Sequence, residues 1–152
     1  MTACSQSAAP WRLDSIATGD HSSDSSRLIY STSSSHLKLE FLRIGKELFA
    51  YLFLQQHKFV PSSTNPGHVE LSLTLDGIET KHFLPMRHGS MRLPLPEEIK
   101  EKLISALQDG KEVGILLNGF EQTISPSLFQ ERYKEFVGGT VDFFQFIKGP
   151  LK

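Results

Sequence analysis

His68-Val69-Glu70-Leu71-Ser72-Leu73-Thr74-Leu75-Asp76-Gly77-Ile78, continued by Glu79-Thr80-Lys81-His82-Phe83-Leu84, is the stretch that decides the fold. Val69, Leu71, Leu73 and Leu75 alternate with Glu70, Ser72 and Thr74, the period of two expected of a strand with one buried face. Asp76-Gly77 is a strong two-residue hairpin signal, so Ile78 to Leu84 is expected to return as the partner strand. A connection that short joins only antiparallel neighbours, because parallel strands need a long crossover. With Val69, Leu71 and Leu73 turned to the core, His68 is expected to face outward with Glu70 and Ser72.

Upstream the same period recurs. Leu37, Leu39 and Phe41 alternate with Lys38 and Glu40, and Ile44-Gly45-Lys46-Glu47 forms a turn. The return run from Leu48 to Gln55 is apolar on both faces, which predicts a central strand covered on each side. Pro61 to Gly67 is a loop. Further upstream, serine clusters flank an expected first strand at Arg27-Leu28-Ile29-Tyr30, and Trp11, Leu13 and Ile16 mark where the chain docks on the domain.

Downstream, two helices interrupt the β pattern. Pro96 is tolerated at a first helical position, Glu97 and Glu98 favour the positive end of the helix dipole, and Ile99, Leu103, Ile104 and Leu107 form an apolar face ending at Asp109-Gly110. Glu112 to Asn118 is the next strand, with Asn118-Gly119-Phe120 as a turn. Ser125 then caps a second helix, with Leu128, Phe129, Tyr133 and Phe136 on one side and Gly138-Gly139 as its stop. The last run, Val141 to Ile147, holds Phe143, Phe144 and Phe146 and is expected as a core strand rather than an exposed partner patch. The fold class that follows is α+β, mainly β: an antiparallel β-sandwich or curved sheet with two short helices. Residues 1–10 are expected as a flexible tail and 11–152 as a single globular domain.

At 152 residues, with 39% hydrophobic residues and eleven Phe, the chain can bury a substantial core. A formal net charge of −1 argues against a dedicated nucleic-acid binder, which would show a basic excess. No apolar run reaches the length of a membrane-spanning helix. One cysteine leaves no partner for an intramolecular disulfide and no Cys-rich metal site.

The chemistry-bearing residues form few patterns. The six histidines show no metal-ligand spacing; His82 and His88 lie six apart across Pro85, and solvated positions are expected for them. There is no Gly-x-Ser-x-Gly elbow, and Glu97-Glu98 are better explained as helix-dipole partners than as an acid/base pair. No catalytic residues, metal ligands or cofactor are assigned, and a non-enzymatic module is expected. From Thr80 to Pro96 the chain holds Lys81, His82, Arg87, His88 and Arg92 without an acidic residue. Lys81, Arg87, His88 and Arg92 are therefore candidate anion-binding residues, facing phosphate, lipopolysaccharide or anionic lipid.

Met1-Thr2-Ala3-Cys4 resembles the end of a bacterial lipobox, with Thr2 and Ala3 matching and Met1 where Leu is usual. The polar tether Ser5 to Pro10 follows. The resemblance implies lipid on Cys4, anchoring at the cell envelope, and, with Ser5 after the cysteine, export to the outer membrane. The domain's outline is similar to invasion-associated locus B proteins and to a type VI secretion accessory family. It rests on an N-terminal Trp, a Ser/Thr stretch, a strand pair around Gly45-Lys46, the Val69-to-Gly77 strand and Asn118-Gly119-Phe120 before a terminal helix. Small lipoproteins of obligate intracellular bacteria such as chlamydiae have a similar character. Neither family offers a catalytic set to transfer. The expectation is an envelope-anchored lipoprotein acting as a binding or scaffolding module, with the membrane and a protein of the envelope as partners. The alternative is a soluble secreted module binding an anionic ligand through residues 81–92.

Overall fold

The computed structural model describes residues 10–16, 25–55, 57–86 and 91–138. Nine strands and two helices are found among them. β1 (Trp11–Ile16), β2 (Ser25–Tyr30), β3 (Leu37–Ile44), β4 (Glu47–Leu54) and β7 (Arg92–Pro94) make one sheet in the order β1-β2-β3-β4-β7. β5 (His68–Leu75), β6 (Ile78–Pro85), β8 (Val113–Leu117) and β9 (Phe120–Ile124) make a second in the order β6-β5-β8-β9. Every pairing is antiparallel. Helices α1 (Glu97–Gln108) and α2 (Phe129–Gly138) complete the α+β, mainly β architecture that the periodicities predict.

Three two-residue turns set the registers. Asp76 and Gly77 both have positive φ (54° and 77°), as do Asn118 and Gly119 (51° and 81°). Both turns therefore match the right-handed twist of their strands, and Asp or Asn followed by Gly meets that demand at low steric cost. At Gly45-Lys46 only the glycine has positive φ, the pattern of the second favoured hairpin type.

The registers align inward-facing side chains in rows. Trp11, Tyr30, Leu39, Leu52 and Leu93 lie across the five strands of the first sheet, and Leu13, Leu28, Phe41 and Ala50 form the row beside it. On the second sheet Leu71 faces Leu117, and Leu73 faces Ile115. These side chains, with Ile99, Leu103 and Leu107 of α1 and Phe129 and Phe136 of α2, form one buried cluster, against which the partly buried Leu13 packs. Trp11, 1% exposed, is its largest fully buried side chain. Its ring packs edge-on to Tyr30 at 4.8 Å and tilted to Phe129 at 5.0 Å. Its Nε1–H donates to the Ser125 carbonyl at 2.9 Å, and the Ser125 N–H donates to the Tyr30 hydroxyl at 3.3 Å.

Polar contacts hold the helices. Arg43 donates from Nε to the Phe136 carbonyl (2.8 Å), from Nη1 to the Gly45 carbonyl (2.8 Å) and from Nη2 to Ser26 Oγ (3.1 Å). One guanidinium thus joins a late carbonyl of α2 to the β3–β4 turn and to β2. Lys100, buried on α1, donates to the Leu48 carbonyl at 2.8 Å and to Glu97 at 2.9 Å. The ammonium satisfies a β4 carbonyl beyond the three residues that pair with β7, and its hydrogen bond holds the Glu97 carboxyl below the usual range.

Several expectations are corrected. Trp11, Leu13 and Ile16 lie on a paired strand, so Arg27–Tyr30 belongs to the second strand. Leu48–Gln55 is not covered on both sides: Ala50, Leu52 and Leu54 are buried, while Phe49 is 37% exposed and Tyr51 and Phe53 are half-buried. Pro96 is the N-cap of α1 rather than its first residue. Phe120 opens a strand, β9, and α2 starts only at Phe129, after Leu128 with φ 68° and 43% exposure. Val141 to Ile147 lies outside the described residues.

Two outcomes test this account. Trp11→Ala removes the central ring and its hydrogen bond, and urea unfolding followed by circular dichroism is expected to show a loss of about 3–5 kcal/mol. Tyr133 stacks on Phe129 at 5.2 Å, and burial raises its phenol above the usual value. Below pH about 10 the phenol is protonated in folded and unfolded chains alike, so its contribution is fully present. As pH rises through that value the unfolded chain ionises first, and stability falls until the folded phenol also ionises. Tyr133→Phe is expected to lessen this alkaline loss, measured as urea midpoints between pH 9 and about 11.

Candidate functional site

The candidate anion-binding residues do not gather at one place. Lys81 lies on β6 of the second sheet, and Arg92 lies on β7 of the first. Each has a carboxylate partner on another strand. Lys81 Nζ is 3.5 Å from Glu70 on the adjacent strand. Arg92 Nη2 donates to both oxygens of Glu40, at 2.7 and 2.9 Å, and its guanidinium lies 5.0 Å from the Tyr51 ring centre. Glu40 is only 5% exposed and also sits 3.8 Å from Arg27. A carboxylate removed from water in this way needs paired donors, and Arg92 supplies them. Arg87, His88 and Cys4 lie outside the described residues.

The histidines serve local roles. His82 Nε2 and the Thr80 hydroxyl are 3.0 Å apart, and His68 Nδ1 lies 3.1 Å from the Pro66 carbonyl. His68 is half-buried beside Glu70, whereas Ser72 is buried although the alternation turns it outward. His36 and His57 meet at 4.8 Å between ring centres, and both contact Phe120. Among the described residues no group of three or more His, Cys, Asp or Glu side chains could hold a metal ion. Nor does any helix among them have the length and apolarity to cross a membrane.

An open cleft of about 840 Å³ lies at one end of the first sheet. β1 contributes Trp11, Arg12 and Leu13; the β2–β3 turn contributes Ser31, Thr32 and Ser33; Lys38 and Gln55 come from β3 and the end of β4; and α2 contributes Arg132 and Glu135. Strand alternation explains the mixed lining. Trp11 goes inward to the core, which leaves its neighbour Arg12 exposed. Leu37 and Leu39 likewise go inward, leaving Lys38 half-buried on the other face.

The turn that forms one wall is firmly held. Gln122, buried on β9, donates from Nε2 to the Leu37 carbonyl at 3.1 Å and to Thr32 Oγ1 at 3.3 Å. The Ser35 hydroxyl donates to the Glu121 carbonyl at 3.0 Å, and the Leu37 N–H donates to that same hydroxyl at 3.1 Å. The chain enters β1 beside this wall, because the Ser31 N–H donates to the Pro10 carbonyl at 3.1 Å.

Three cations and one carboxylate, Glu135, line this cleft, and Asp14 stands beside Arg12. Arg132 is 3.3 Å from Glu135, and Arg12 is 3.3 Å from Asp14. All four side chains are substantially exposed, so these pairs are weak and solvent-screened. Lys38 has no ion-pair or hydrogen-bond partner for its ammonium among the described residues. No local run marks this set in the sequence, because its members are separated by up to 120 positions. The one available signal was the period-two alternation, which puts Arg12 and Lys38 on the faces opposite Trp11 and Leu37.

Compared with models of known protein families, with curated proteins and with solved structures, the chain matches none.

The contrast between paired and unpaired cations can be measured. Glu40→Ala leaves Arg92 without its bidentate acceptor and is expected to destabilise the fold by about 1–3 kcal/mol. Lys38→Ala is expected to change stability by no more than about 0.5 kcal/mol. Urea titrations of the two variants at neutral pH and moderate salt check both values.

Proposed function

We propose that this chain is a non-catalytic binding module of a bacterial cell envelope, anchored by lipid on Cys4. The observation that carries the reading is the placement of the cleft at the point where the chain enters the fold. Pro10 is bonded to Ser31, and Ser31 lines the cleft. The tether from Ser5 to Pro10 spans at most about 20 Å when extended. An acyl anchor on Cys4 would therefore hold the cleft near the membrane surface. Each buried CH₂ of such an anchor contributes about 0.8 kcal/mol, so two or more acyl chains give stable attachment. Lipid supplies location, the tether limits reach, and the cleft and the half-wet outer face of the first sheet supply surfaces for a ligand or an envelope protein. Outer-membrane placement follows from Ser5 as the residue after the cysteine.

The second reading, an unanchored module taking an anion at Lys81 to Arg92, has less support. The two described cations of that stretch, Lys81 and Arg92, lie on different sheets, and the buried carboxylate of Glu40 already engages Arg92.

Clickable palmitate incorporation into the protein expressed in a bacterium from its native gene tests the anchor. Label on the wild type that disappears in Cys4→Ser is the expected result. No label on either protein would remove the anchor and leave a module without a membrane address.

A further inference from the structure

We propose that the cleft between β1, the β2–β3 turn and α2 binds a phosphorylated polyol of the sugar-phosphate class. The proposal deepens the binding-module reading and rests on it, but it does not depend on the lipid anchor. Four observations carry it.

The first is charge. Arg12, Lys38 and Arg132 line the cleft against the single lining carboxylate of Glu135, in a chain whose overall formal charge is −1. The cationic excess is therefore local. Lys38, without an ionic partner among the described residues, is ready for an anion. The two arginines can turn from exposed, screened carboxylates to a phosphate, whose oxygens match the guanidinium fork.

The second is the neutral lining. Hydroxyls of Ser31, Thr32 and Ser33 and the amide of Gln55 stand beside the cations. Such groups both donate and accept, and Glu135 accepts, which is the complement that sugar hydroxyls require. The cleft has the volume of a small-molecule site, yet its lining is mainly polar where apolar ligands select an apolar one.

The third is what the cleft lacks for other anions. Its one aromatic side chain, Trp11, is buried in the core and offers no face for stacking a base, which single-stranded nucleic acid uses. Three cations are also a small footprint for a polyanion.

The fourth is preorganisation. Gln122 and Ser35 tie the turn to β9, and the Trp11–Ser125 bond ties β1 to the lead into α2. The walls come from separate elements, but each is held before any ligand arrives, which lowers the ordering cost of binding.

The same headgroup chemistry occurs free in solution and on glycolipids, so the test has two arms. The full 152-residue chain, without acyl groups, is titrated with glucose 6-phosphate, glucose and inorganic phosphate by calorimetry and amide chemical shifts. In parallel, its flotation is measured with phosphatidylcholine vesicles, with and without phosphatidylinositol 4-phosphate. The expected result is saturable binding of glucose 6-phosphate, with shifts centred on Arg12, Ser31 to Ser33 and Lys38. Inorganic phosphate is expected to bind about tenfold more weakly, and glucose below detection. Arg12→Glu with Lys38→Glu is expected to weaken binding at least about tenfold while circular dichroism stays unchanged; Lys81→Glu is expected to retain it. Binding to the sugar phosphate alone assigns a soluble ligand, and flotation dependent on the phosphoinositide and lost in the double variant assigns a membrane headgroup; either supports the site. Absence of saturable binding in both arms, shifts centred away from the cleft, or full affinity in the double variant would overturn it. Palmitate labelling of Cys4 is independent of every one of these results.

Discussion

The fold depends on the seating of one indole. Trp11 opens the first strand, and its ring lies among Tyr30, Phe41 and Phe129, which come from β2, β3 and α2. Its one polar atom needs a partner once buried, and the Ser125 carbonyl supplies it. That bond crosses 114 positions of sequence and places the chain leaving β9 against the chain entering β1. Phe129 follows four residues later and fills the space beside the indole. Without this junction α2 would lose its main apolar contact with the first sheet, and the cleft bounded by β1 and α2 would lose a wall.

Open sheets present a second constraint, since each leaves edge strands with unpaired backbone groups. On the first sheet β7 pairs only Tyr51, Leu52 and Phe53 of β4. The remaining edge is completed from elsewhere: the Leu95 N–H donates to the Ala50 carbonyl, and Lys100 reaches from α1 to the Leu48 carbonyl. A lysine at a buried helix position is therefore a substitute for a strand. β6, at the edge of the second sheet, is handled differently. It carries Glu79 and Lys81 on an exposed run and ends at Pro85, features that discourage pairing with another chain.

Legibility in the sequence followed locality. Hairpins were readable because their information is local: Asp76-Gly77 and Gly45-Lys46 name their own turn geometry, and alternation names the buried face. β9 was missed because Phe120-Glu121-Gln122-Thr123-Ile124 has an internal Gln where a core residue is expected. Gln122 is buried, yet it is there to hold the β2–β3 turn. β1 reads as a docking segment because its inward row holds only Trp11 and Leu13 before a polar serine, and that serine meets Ser26 across the ladder. On β4 the aromatic alternates suggested two covered faces. A ring can be half-shielded by its neighbours on a sheet surface without a second layer, and Arg92 over Tyr51 does this. The cleft was invisible for a stronger reason, since it exists only once α2 has docked on β1 and β2.

The distribution of charge shows why a linear count of basic residues misleads in an antiparallel sheet. From Thr80 to Pro96 the chain has no acid, but neighbours in the fold are not neighbours in sequence. Lys81 meets Glu70 from the adjoining strand, and Arg92 meets Glu40 from two strands away. The first pair is exposed and solvent-screened, while Arg92 is engaged in solvating a buried carboxylate. Arg12 and Lys38, by contrast, sit at outward positions of alternating strands and look like ordinary solvated positions. Folding brings them to one concavity with Arg132 and Glu135. A ligand site assembled this way inherits its specificity from tertiary contacts: the indole that fixes β1 and the glutamine that fixes the turn set the spacing of the charges.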